Sequence, residues 1–598
     1  MDTIGTVEQS IRMIEAGCEL VRITAPSKKE AENLRNIKDE LVKRGYNTPL
    51  VADIHFTPNA AEIAARIVEK VRVNPGNYAD KKKFDIIEYS DAQYQEELNR
   101  IREKFTPLVK ICKEHGTAMR IGTNHGSLSD RIMSRYGDTP LGMVESALEF
   151  LRICEDENYH NIVLSMKASN PQVMVQAYRL LVQKMIEEGM NYPLHLGVTE
   201  AGDGEDGRIK SAVGIGALLE DGLGDTIRVS LTEEPEAEVP VAQELANRYK
   251  TRKASKPILA LEENPLNPFA YKKRETNAVE AIGDHNHPIY VADLSSAEKI
   301  NPALLFGVGY NYSVPLDKWN INDAAADFVF LGNHQINFEI PGTLGLIQNL
   351  EAWQQNPNKK QAYPLTSIDE AKEPHEKLNF VEVDASTLGD ETLNKIKNLQ
   401  KSVLVLTTDN SHAMPEIRRF LFELIKHEIK IPVVSKYHYS NISADQFMLY
   451  SSTDFGSLMV DGLGDGLWID AKNVGGQKLI TSTAFGIMQA TRTRISKTEY
   501  ISCPSCGRTL FDLQETTAKI RSVTNHLKGV KIGIMGCIVN GPGEMADADY
   551  GYVGSGVGKI TLYKEKEVVR RSIPAEHAVD ELIGLIKEHG DWVEPVTA

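Results

Sequence analysis

Short apolar segments alternate with amphipathic stretches along residues 18–250. The apolar segments are predicted strands, and each precedes a stretch of helical periodicity such as KKEAENLRNIKDELVKR or NPQVMVQAYRLLVQKMIEE. The seven predicted strands are CELVRIT, PLVADIHF, KVRVNPG, AMRIGTN, NIVLSMK, PLHLGVTE and TIRVSLT. Repeated strand and helix units of this kind form a parallel α/β sheet, either a TIM-type (β/α) barrel or a doubly wound sheet.

Polar side chains stand at the carboxyl end of each of these strands, which favours the barrel. In chain order they are Arg22; Asp53 and His55; Arg72 and Asn74; Arg120 and Asn124; Lys167; Thr199 and Glu200; and Arg228 and Ser230. The carboxyl ends of barrel strands converge on one mouth, where such enzymes carry out their chemistry. Strand-end residues that simply meet solvent are the alternative for one or two positions. Seven successive polar ends, five of them cationic, predict an anion-binding site.

The N-terminal residues predict that this barrel lacks its first strand. The segment MDTIGTVEQSIRMIEAG has helical periodicity and leads directly into CELVRIT. A closed eight-stranded barrel requires one further strand before Met1. We therefore expect a chain that is truncated at its N-terminus.

A second alternating series covers residues 251–480. Its predicted strands are PIYVADLS, DFVFLGN, NFVEVDAS, SVLVLTTD, IPVVSKYH and the segment FGSLMVDGLGDGLWID. GALLEDGLGD at 216–225 recurs as GSLMVDGLGD at 456–465, and PLVADIHF recurs as PIYVADLS, which pairs Asp53 with Asp293. Both matches have an offset of 240 residues, because 456 − 216 and 293 − 53 both equal 240. Two matches at one offset predict a domain duplication.

The second copy does not keep the polar strand ends of the first. At or within one residue of the same offset, Lys167 is replaced by Thr407, Thr199 and Glu200 by His438 and Tyr439, and Arg228 and Ser230 by Trp468 and Asp470. The packing pattern remains while the cations are lost. We therefore expect an inserted, degenerate barrel-like α/β domain with a structural function.

The pattern changes again from residue 481. A predicted helix, STAFGIMQATRTRI, leads into CPSCGR, and the helix QETTAKIRSVTNHLK and the strand VKIGIMG follow. A strand pair around YGYVG and KITLYKE and a C-terminal helix complete a small α+β domain. The sequence thus predicts three domains, at 1–250, 251–480 and 481–598.

Three of the six cysteines are candidate metal ligands. Cys503 and Cys506 have Cys-x-x-Cys spacing, and Cys537 lies in GCIVNGPGE. A structural zinc site would need a second such pair or two histidines nearby, which disfavours zinc. An iron–sulfur cluster accepts a non-cysteine fourth ligand, and the turn before Glu544 could return its carboxylate to the metal. The alternative for Glu544, an exposed turn residue, stays open on spacing alone.

Charge and hydropathy exclude two classes of partner. The formal net charge of −16 argues against a general nucleic-acid-binding surface, which requires clustered Lys and Arg. The chain has no apolar run of the roughly 20 residues that span a bilayer, and its N-terminus lacks the layout of a signal peptide. The sequence therefore predicts a cytoplasmic protein without nucleic-acid or membrane partners.

The motifs resemble those of a known enzyme family. VRITAP, VADIHF, VRVNPGN, RIGTNHGSL, SMKAS, LGVTEAG, DGLGDTIRVSLT, CPSCGRTLFDLQ and MGCIVNGPGE occur in this order. The series is similar to that of the 4-hydroxy-3-methylbut-2-enyl diphosphate synthases of the methylerythritol phosphate route to isoprenoids. The long form of this family has three domains, with a barrel-like insertion, and the resemblance covers essentially the whole chain.

The resemblance implies a substrate and a cofactor. The substrate would be 2-C-methyl-D-erythritol 2,4-cyclodiphosphate, and the reaction a two-electron reductive ring opening with loss of water. A [4Fe–4S] cluster held by Cys503, Cys506, Cys537 and Glu544 would deliver electrons from ferredoxin or flavodoxin. The C-terminal domain would cap the barrel mouth, either within a monomer that closes on itself or in a homodimer.

The strand-end residues fit that substrate. Five cations, Arg22, Arg72, Arg120, Lys167 and Arg228, would hold the diphosphate, since Arg forks match phosphate oxygens in pairs. Asn124, Thr199 and Ser230 would add neutral hydrogen bonds, Asp53 would orient the arginines, and Asn540 would lie between cluster and substrate. Glu200 is the predicted catalytic residue, delivering a proton or steadying the leaving hydroxyl. The competing interpretations are a phosphate-binding scaffold with a zinc module and a different iron–sulfur reductase or dehydratase.

Overall fold

The computed structural model describes residues 2–54, 57–80, 88–252, 256–370, 373–504, 509–538, 541–545 and 547–595, with the backbone alone at residues 251 and 544. The chain forms two compact units. One unit is Met1–Ala246 together with Thr498–Ala598, and the other is Asn247–Lys497.

The first barrel wall contains the seven strands that the sequence predicts. They are β1 (Val21–Thr24), β2 (Leu50–Asp53), β3 (Lys70–Val73), β4 (Ala118–Asn124), β5 (Ile162–Lys167), β6 (His195–Leu196) and β7 (Thr226–Ile227). Strands β1 to β5 are parallel neighbours in sequence order, a bridge between Leu164 and Leu194 continues to the segment before β6, and β6 pairs with β7. Among the residues described, no ladder joins β7 to β1.

Ten helices, counted over the described residues, accompany these strands. They are α1 (Thr3–Glu15), α2 (Lys28–Lys43), α3 (Pro58–Ala64), α4 (Pro75–Tyr78), α5 (Asp91–His115), α6 (Asp130–Tyr136), α7 (Pro140–Asp156), α8 (Pro171–Glu187), α9 (Gly204–Glu220) and α10 (Glu238–Thr251). A 3-10 turn, His125–Ser127, follows β4. Local sequence fixes the helix ends: Ser90 and Gln93 form a capping box at the start of α5, and Gly116 ends it in the left-handed conformation with φ 68°.

The second unit is a closed parallel barrel of eight strands. Its strands are β8 (Ile289–Asp293), β11 (Phe328–Gly332), β12 (Gly345–Asn349), β13 (Ala362–Ser367), β14 (Asn379–Asp384), β15 (Ser402–Thr407), β16 (Val433–Ser440) and β17 (Gly466–Lys472), and β17 pairs with β8 to close it. A hairpin of β9 (Tyr310–Ser313) and β10 (Lys318–Ile321) is inserted after β8. The helices are α11 (Leu350–Gln355), α12 (Asp390–Lys397), α13 (Ala413–Lys426), α14 (Ala444–Val460) and α15 (Gln477–Ala490).

This closed barrel confirms the expected barrel-like inserted domain and shows that its wall is complete. The hydrophobic pattern predicts six of the eight barrel strands but not β12 and β13. Strand β13 contains Pro364, which lacks an amide donor and argues against a central strand, and β12 begins at Gly345, a weak strand former. The final predicted strand was also too long, since Phe455–Val460 belongs to α14.

Strand order also tests the predicted duplication. Residues Lys167, Glu200 and Arg228 lie at or after the last three strands of the first barrel, and their offset partners lie at or near the last three of the second, β15 to β17. The pairing of Asp53 with Asp293 is wrong as a structural equivalence. Asp293 ends the first strand of its barrel, whereas Asp53 ends a strand followed by only five others.

The mouth of the second barrel satisfies its own polar groups. Lys436 Nζ lies 3.1 Å from a carboxylate oxygen of Glu382 and 4.6 Å from the ring centroid of Trp468. The indole nitrogen of Trp468 donates to Asp293 at 3.0 Å. Lys436, Glu382 and Asp293 thus have partners within the second barrel itself.

The C-terminal part of the first unit is the expected α+β domain. Its elements are β18 (Glu499–Ser502), α16 (Leu513–Thr524), β19 (Lys531–Met535), α17 (Gly541–Glu544), β20 (Tyr550–Gly556), β21 (Lys559–Lys564), β22 (Glu567–Pro574) and α18 (Ala578–Glu588). The sheet order is β18-β19-β20-β21-β22, parallel as far as β20 and antiparallel beyond. Strand β22 was not predicted.

The domain boundary predicted at residue 480 differs from the end of the second unit, which lies at Lys497. Helix α15, assigned from the sequence to the C-terminal domain, packs on the second barrel, where Phe485 meets Tyr290 edge-to-face at 5.9 Å.

None of the described helices combines the length and apolar character of a membrane span.

Candidate active site

Asp53 holds two of the predicted cations in place at the mouth of the first barrel. Its Oδ2 lies 2.8 Å from Nη1 of Arg22, and its Oδ1 accepts a hydrogen bond from Nη1 of Arg72 at 2.9 Å. The second terminal nitrogen of Arg72 donates to the carbonyl of Gly122 at 2.8 Å and to Oδ1 of Asn124 at 3.4 Å. Both guanidinium groups are therefore oriented before any ligand arrives.

The strand register explains why these side chains meet. Asp53 is opposite Arg72, and Arg72 is opposite Arg120 on the next strand. Nearer the mouth, Asn124 is opposite Lys167. Because residues in lateral register point to the same face of a sheet, the four strand ends place these side chains on one surface. The convergence predicted from the sequence is present in the structure.

Burial and mutual repulsion perturb the cations. Burial, followed by the charges of Arg72 and Arg22, lowers the pKa of Arg120 well below its usual value. Burial, followed by Arg120 and Arg228, does the same for the pKa of Lys167. Burial and Arg228 lower the pKa of Arg22 to about 10. The site therefore holds more positive charge than its own surroundings stabilise.

Arg228 has its own counterion. Its Nε and Nη2 each lie 3.2 Å from a carboxylate oxygen of Glu238, the first residue of α10. Although burial works to lower the pKa of Arg228, Glu238, Glu200 and Asp53 together raise it. Arg228 thus has a carboxylate counterion within the protein.

Several buried polar atoms at the mouth have no hydrogen-bond partner among the described residues. They include Nζ of Lys167, Nε of Arg120 and Oγ of Ser230. Buried donors of this kind are costly unless a partner is supplied. An anion with several acceptor oxygens would satisfy them, and it would also offset the excess positive charge.

Anion binding is expected to take up a proton at Lys167. The pKa of Lys167 is lowered in the free protein. A bound anion favours the charged amine and raises this pKa. The affinity for the anion therefore falls as the pH rises from the pKa of the free protein to that of the complex. Calorimetric titration with sulfate, which does not titrate in this range, in buffers of different ionisation enthalpy measures the uptake. The variant Lys167→Met is expected to lose it. Equal heats in all buffers for the parent protein would contradict this assignment.

Glu200 occupies a constrained position in the loop after β6. It is buried and has φ +51°, in the left-handed region that non-glycine residues rarely adopt. The preceding residue, Thr199, is anchored by its amide to the carbonyl of Ala168 at 3.1 Å. Backbone strain of this kind persists where the surroundings impose it, and it concentrates at functional sites.

The described cysteines of the predicted cluster lie at the ends of neighbouring strands. Cys503 follows β18 and Cys537 follows β19, and both are half-buried. The amide of Gly536 donates to Sγ of Cys503 at 3.2 Å. Cys506 and Asn540 lie outside the described residues, as does the side chain of Glu544 at the end of α17. Within the described part of the chain, no group of three or more metal-ligating side chains occurs.

The C-terminal domain is seated on the barrel mouth beside Glu200. Ala201 forms a parallel bridge with Ser502, the last residue of β18. Thr232 Oγ1 lies 2.7 Å from Oγ of Ser502 and donates to the carbonyl of Cys503 at 3.3 Å. The residue after Glu200 and the residue before Cys503 are therefore joined directly.

A second contact lies on the strand β4 side of the mouth. There α17 packs on the 3-10 turn His125–Ser127, and a Cβ added to Gly543 would lie 1.8 Å from the carbonyl oxygen of Gly126. The turn follows Asn124, and α17 ends at residue 544. The two contacts thus connect loops that carry predicted substrate residues to segments that carry predicted metal ligands.

Two ion-pair groups support this seating further from the mouth. Lys210 Nζ lies 3.0 Å from Glu499 Oε1, and both side chains are buried. Arg521 is bonded to both Asp203 and Asp206, the latter at 3.0 Å. Each pair joins α9 or the loop before it to the C-terminal domain.

Replacing Lys210 with methionine is expected to destabilise the first unit by about 3–5 kcal/mol, because it removes the cation from a buried ion pair. The free energy of unfolding in urea, followed by circular dichroism, measures the effect. Lys519→Met is the matched control, since Lys519 is exposed on α16. If Lys210→Met lowers the free energy of unfolding no more than the control does, the ion pair of Lys210 and Glu499 does not stabilise this unit.

Several residues of this site are not marked by the strand pattern of the sequence. Glu238, the partner of Arg228, and Thr232, the partner of Ser502, lie beyond the last strand. The acidic run EEPEAE after TIRVSLT was the available signal for a counterion. His125 was also missed. Although burial favours its neutral ring, Asp138, 2.8 Å away, and Asp547 raise the pKa of His125.

Comparison with known proteins gives consistent matches over the whole chain. Residues 1–243 match the GcpE TIM-barrel domain, and residues 499–588 match the GcpE protein C-terminal domain. A Parabacteroides distasonis protein named 4-hydroxy-3-methylbut-2-en-1-yl diphosphate synthase (flavodoxin) is 51% identical over 99% of this chain and 94% of its own length. A Phocaeicola vulgatus protein of the same name is 48% identical over 99% of this chain and 94% of its own. An Arabidopsis thaliana protein named 4-hydroxy-3-methylbut-2-en-1-yl diphosphate synthase (ferredoxin), chloroplastic, is 45% identical over 100% of this chain and 84% of its own.

Proposed function

The chain belongs to the 4-hydroxy-3-methylbut-2-en-1-yl diphosphate synthase family, and on that premise we propose that its first barrel and its C-terminal domain together form one active site. The enzyme opens the ring of 2-C-methyl-D-erythritol 2,4-cyclodiphosphate reductively and yields 4-hydroxy-3-methylbut-2-enyl diphosphate. The reaction consumes two electrons and a proton, breaks the ring carbon–oxygen bond to phosphate, and releases a hydroxyl as water.

The cationic mouth binds the diphosphate. Arg22 and Arg72, already oriented by Asp53, present paired N–H donors that match phosphate oxygens. Lys167 and Arg120 bring buried donors that lack partners among the described residues, and the ligand satisfies them. Arg228 completes the set of cations. Asn124, Thr199, Ser230 and Asn540 are proposed to fix the orientation of the substrate through neutral hydrogen bonds.

Glu200 holds or delivers the proton that the departing hydroxyl requires. Its carboxylate is buried beside Arg228, and the bridge between Ala201 and Ser502 fixes its backbone against the C-terminal domain. A general acid must lie within hydrogen-bond reach of the atom it protonates. The strained backbone at φ +51° is the kind of pre-organisation that this role requires.

We assign a [4Fe–4S] cluster to Cys503, Cys506, Cys537 and Glu544. The described part of this set fits the group, because two thiols lie at adjacent strand ends and an amide donates to one sulfur, as hydrogen bonds do around such clusters. A cluster held there would supply the electrons one at a time. The names of the relatives give flavodoxin or ferredoxin as the donor, and either carrier is compatible with this proposal.

Seating of the C-terminal domain on the barrel excludes water from the mouth. Both parts belong to one compact unit of the same chain, which supports a monomer that closes on itself. The second barrel, with its internally paired mouth, is proposed to be structural. The cytoplasm remains the proposed location, although one relative is named chloroplastic.

The observation that carries this proposal is the bridge between Ala201 and Ser502, which joins the segment after Glu200 to the strand that ends at Cys503. The test is an anaerobic assay of the iron-loaded protein with the cyclic diphosphate and reduced flavodoxin, with products followed by phosphorus NMR. We expect conversion to the linear allylic diphosphate. Iron-loaded protein that binds the substrate but forms no product would contradict the proposal, and protein that takes up only zinc would favour a binding scaffold.

A further inference from the structure

Three backbone segments stack on one side of the barrel mouth. They are residues 74–77 after β3, residues 124–127 at and beyond the end of β4, and residues 541–544 after β19. A Cβ added to Gly76 would lie 1.7 Å from the carbonyl oxygen of Ser127, and one added to Gly543 would lie 1.8 Å from that of Gly126. The middle segment is therefore in backbone contact with both of its neighbours.

These contacts allow no side chain between the layers. A carbon and a carbonyl oxygen normally approach to roughly 3.3–3.6 Å, so any residue with a Cβ would force the layers apart. Contacts through side chains can adjust by changing rotamer, whereas a contact between two backbones has no such freedom. The separation between barrel mouth and α17 is consequently fixed here by the backbone itself.

The middle segment is in turn attached to the barrel. Asn74 Nδ2 donates to Oγ of Ser127 at 2.7 Å, and Ser127 Oγ donates to the carbonyl of Asn124 at 3.1 Å. Asn74 Oδ1 accepts from the amide of Gly76 at 3.1 Å. Asn74 is 1% exposed and Ser127 is 8% exposed, so these bonds are shielded from water. The 3-10 turn is thus held by two strand ends of the cationic mouth.

We propose that the 3-10 turn His125–Ser127 sets the distance between the substrate pocket and α17, which makes Asn74, Ser127 and Gly543 positioning residues for the reaction. None of them is a cation, the proposed proton donor or a proposed metal ligand. The inference rests on the proposed function, because it assumes that α17 ends in a ligand at residue 544 and that Asn124 contacts the substrate. Misplacement of reacting groups by about 1 Å can cost roughly 100-fold in rate.

The test compares Gly543→Ala with Gly556→Ala in the iron-loaded full-length protein. An added Cβ at Gly556 would meet its nearest atom, Lys559 Cβ, at 3.8 Å, an ordinary contact in the same domain. For Gly543→Ala we expect unchanged iron content, visible spectrum and dissociation constant for the cyclic diphosphate, with kcat lower by about 100-fold. Hydrogen exchange in residues 541–545 and 125–127 is expected to accelerate together. Gly556→Ala is expected to match the parent in every measurement.

A second variant leaves α17 unaltered. Ser127→Ala removes the acceptor of Asn74, and we expect a kcat loss of about tenfold with iron content and substrate affinity unchanged. A parent-like kcat in both variants would overturn the proposal. Loss of iron from Gly543→Ala, an equal loss of affinity and rate, or the same defect in Gly556→Ala would also overturn it. A parent protein that does not convert the cyclic diphosphate would contradict the proposed function. Hydrogen exchange in residues 541–545 and 125–127 that is unaltered in Gly543→Ala would instead contradict the positioning contact between α17 and the 3-10 turn.

Discussion

Replacing Glu200 with glutamine is expected to lower kcat by about 10³-fold, within the range of 10²–10⁴ that a positioned acid or base contributes. Glutamine has nearly the same shape, so the backbone at φ +51° and the contact between Ala201 and Ser502 should remain. It cannot hold or deliver the proton that the departing hydroxyl needs. Iron content and substrate affinity are therefore expected to match the parent protein.

The measurement is anaerobic steady-state turnover of the cyclic diphosphate together with its dissociation constant by calorimetry. Glu205→Gln is the matched control, because Glu205 is exposed in the first turn of α9, a few residues from the site. A Glu200→Gln enzyme with parent-like kcat would remove Glu200 from the reaction. An enzyme that fails only in binding would assign Glu200 to the anion site instead.

Replacing Cys503 with alanine is expected to abolish both iron binding and turnover. The substitution removes a proposed ligand and leaves the amide of Gly536 without its sulfur acceptor. Thiolates are the ligands on which iron–sulfur clusters depend. The barrel does not use this thiol, so sulfate binding at the cationic mouth is expected to persist.

Iron and sulfide analysis with visible absorption before and after dithionite provides the measurement. Cys18→Ala is the control, because Cys18 is half-buried near β1, where its thiol donates to the carbonyl of Leu20 at 2.9 Å. The control should keep full iron content. A Cys503→Ala protein that retains a dithionite-bleachable chromophore would show that the ligand set is assigned wrongly.

The sequence predicted the cationic mouth because a strand ends where apolar residues give way to polar ones. Arg72 and Arg120 lie within apolar strands and Lys167 ends one, and the parallel register places all three on one surface. Strands of this regular kind can be predicted from the local sequence, without knowing which distant residues they contact. Strand β13 was missed for the converse reason, since Pro364 within it contradicts the local pattern of a central strand.

The seating of the C-terminal domain could not be predicted in detail from the sequence. Ala201 and Ser502 are far apart in the chain, and neither has a composition that marks a pairing partner. The partner of Arg228 was missed similarly, since Glu238 begins a helix rather than ending a strand. The equivalence of Asp53 and Asp293 was wrong because a short similarity was taken as a strand correspondence, whereas strand order is a property of the whole sheet.

The two barrels differ in how the charged side chains at their mouths are partnered. In the second barrel, Lys436 has Glu382 and an aromatic face as partners, so its mouth is satisfied without a ligand. In the first barrel, Lys167 and Arg120 are buried with lowered pKa values and lack such partners among the described residues. Sites of this kind sacrifice stability for function, which supports the proposal that the first barrel binds the substrate.

The central claim is that thiolate-held iron in the C-terminal domain faces the anion pocket of the first barrel. Electron–nuclear double resonance on the reduced, iron-loaded protein saturated with the cyclic diphosphate tests it most directly. The account predicts a resolved phosphorus-31 hyperfine coupling to the iron spin that disappears when Lys167 is replaced and the ligand no longer binds. A saturated complex that shows no phosphorus coupling would contradict it.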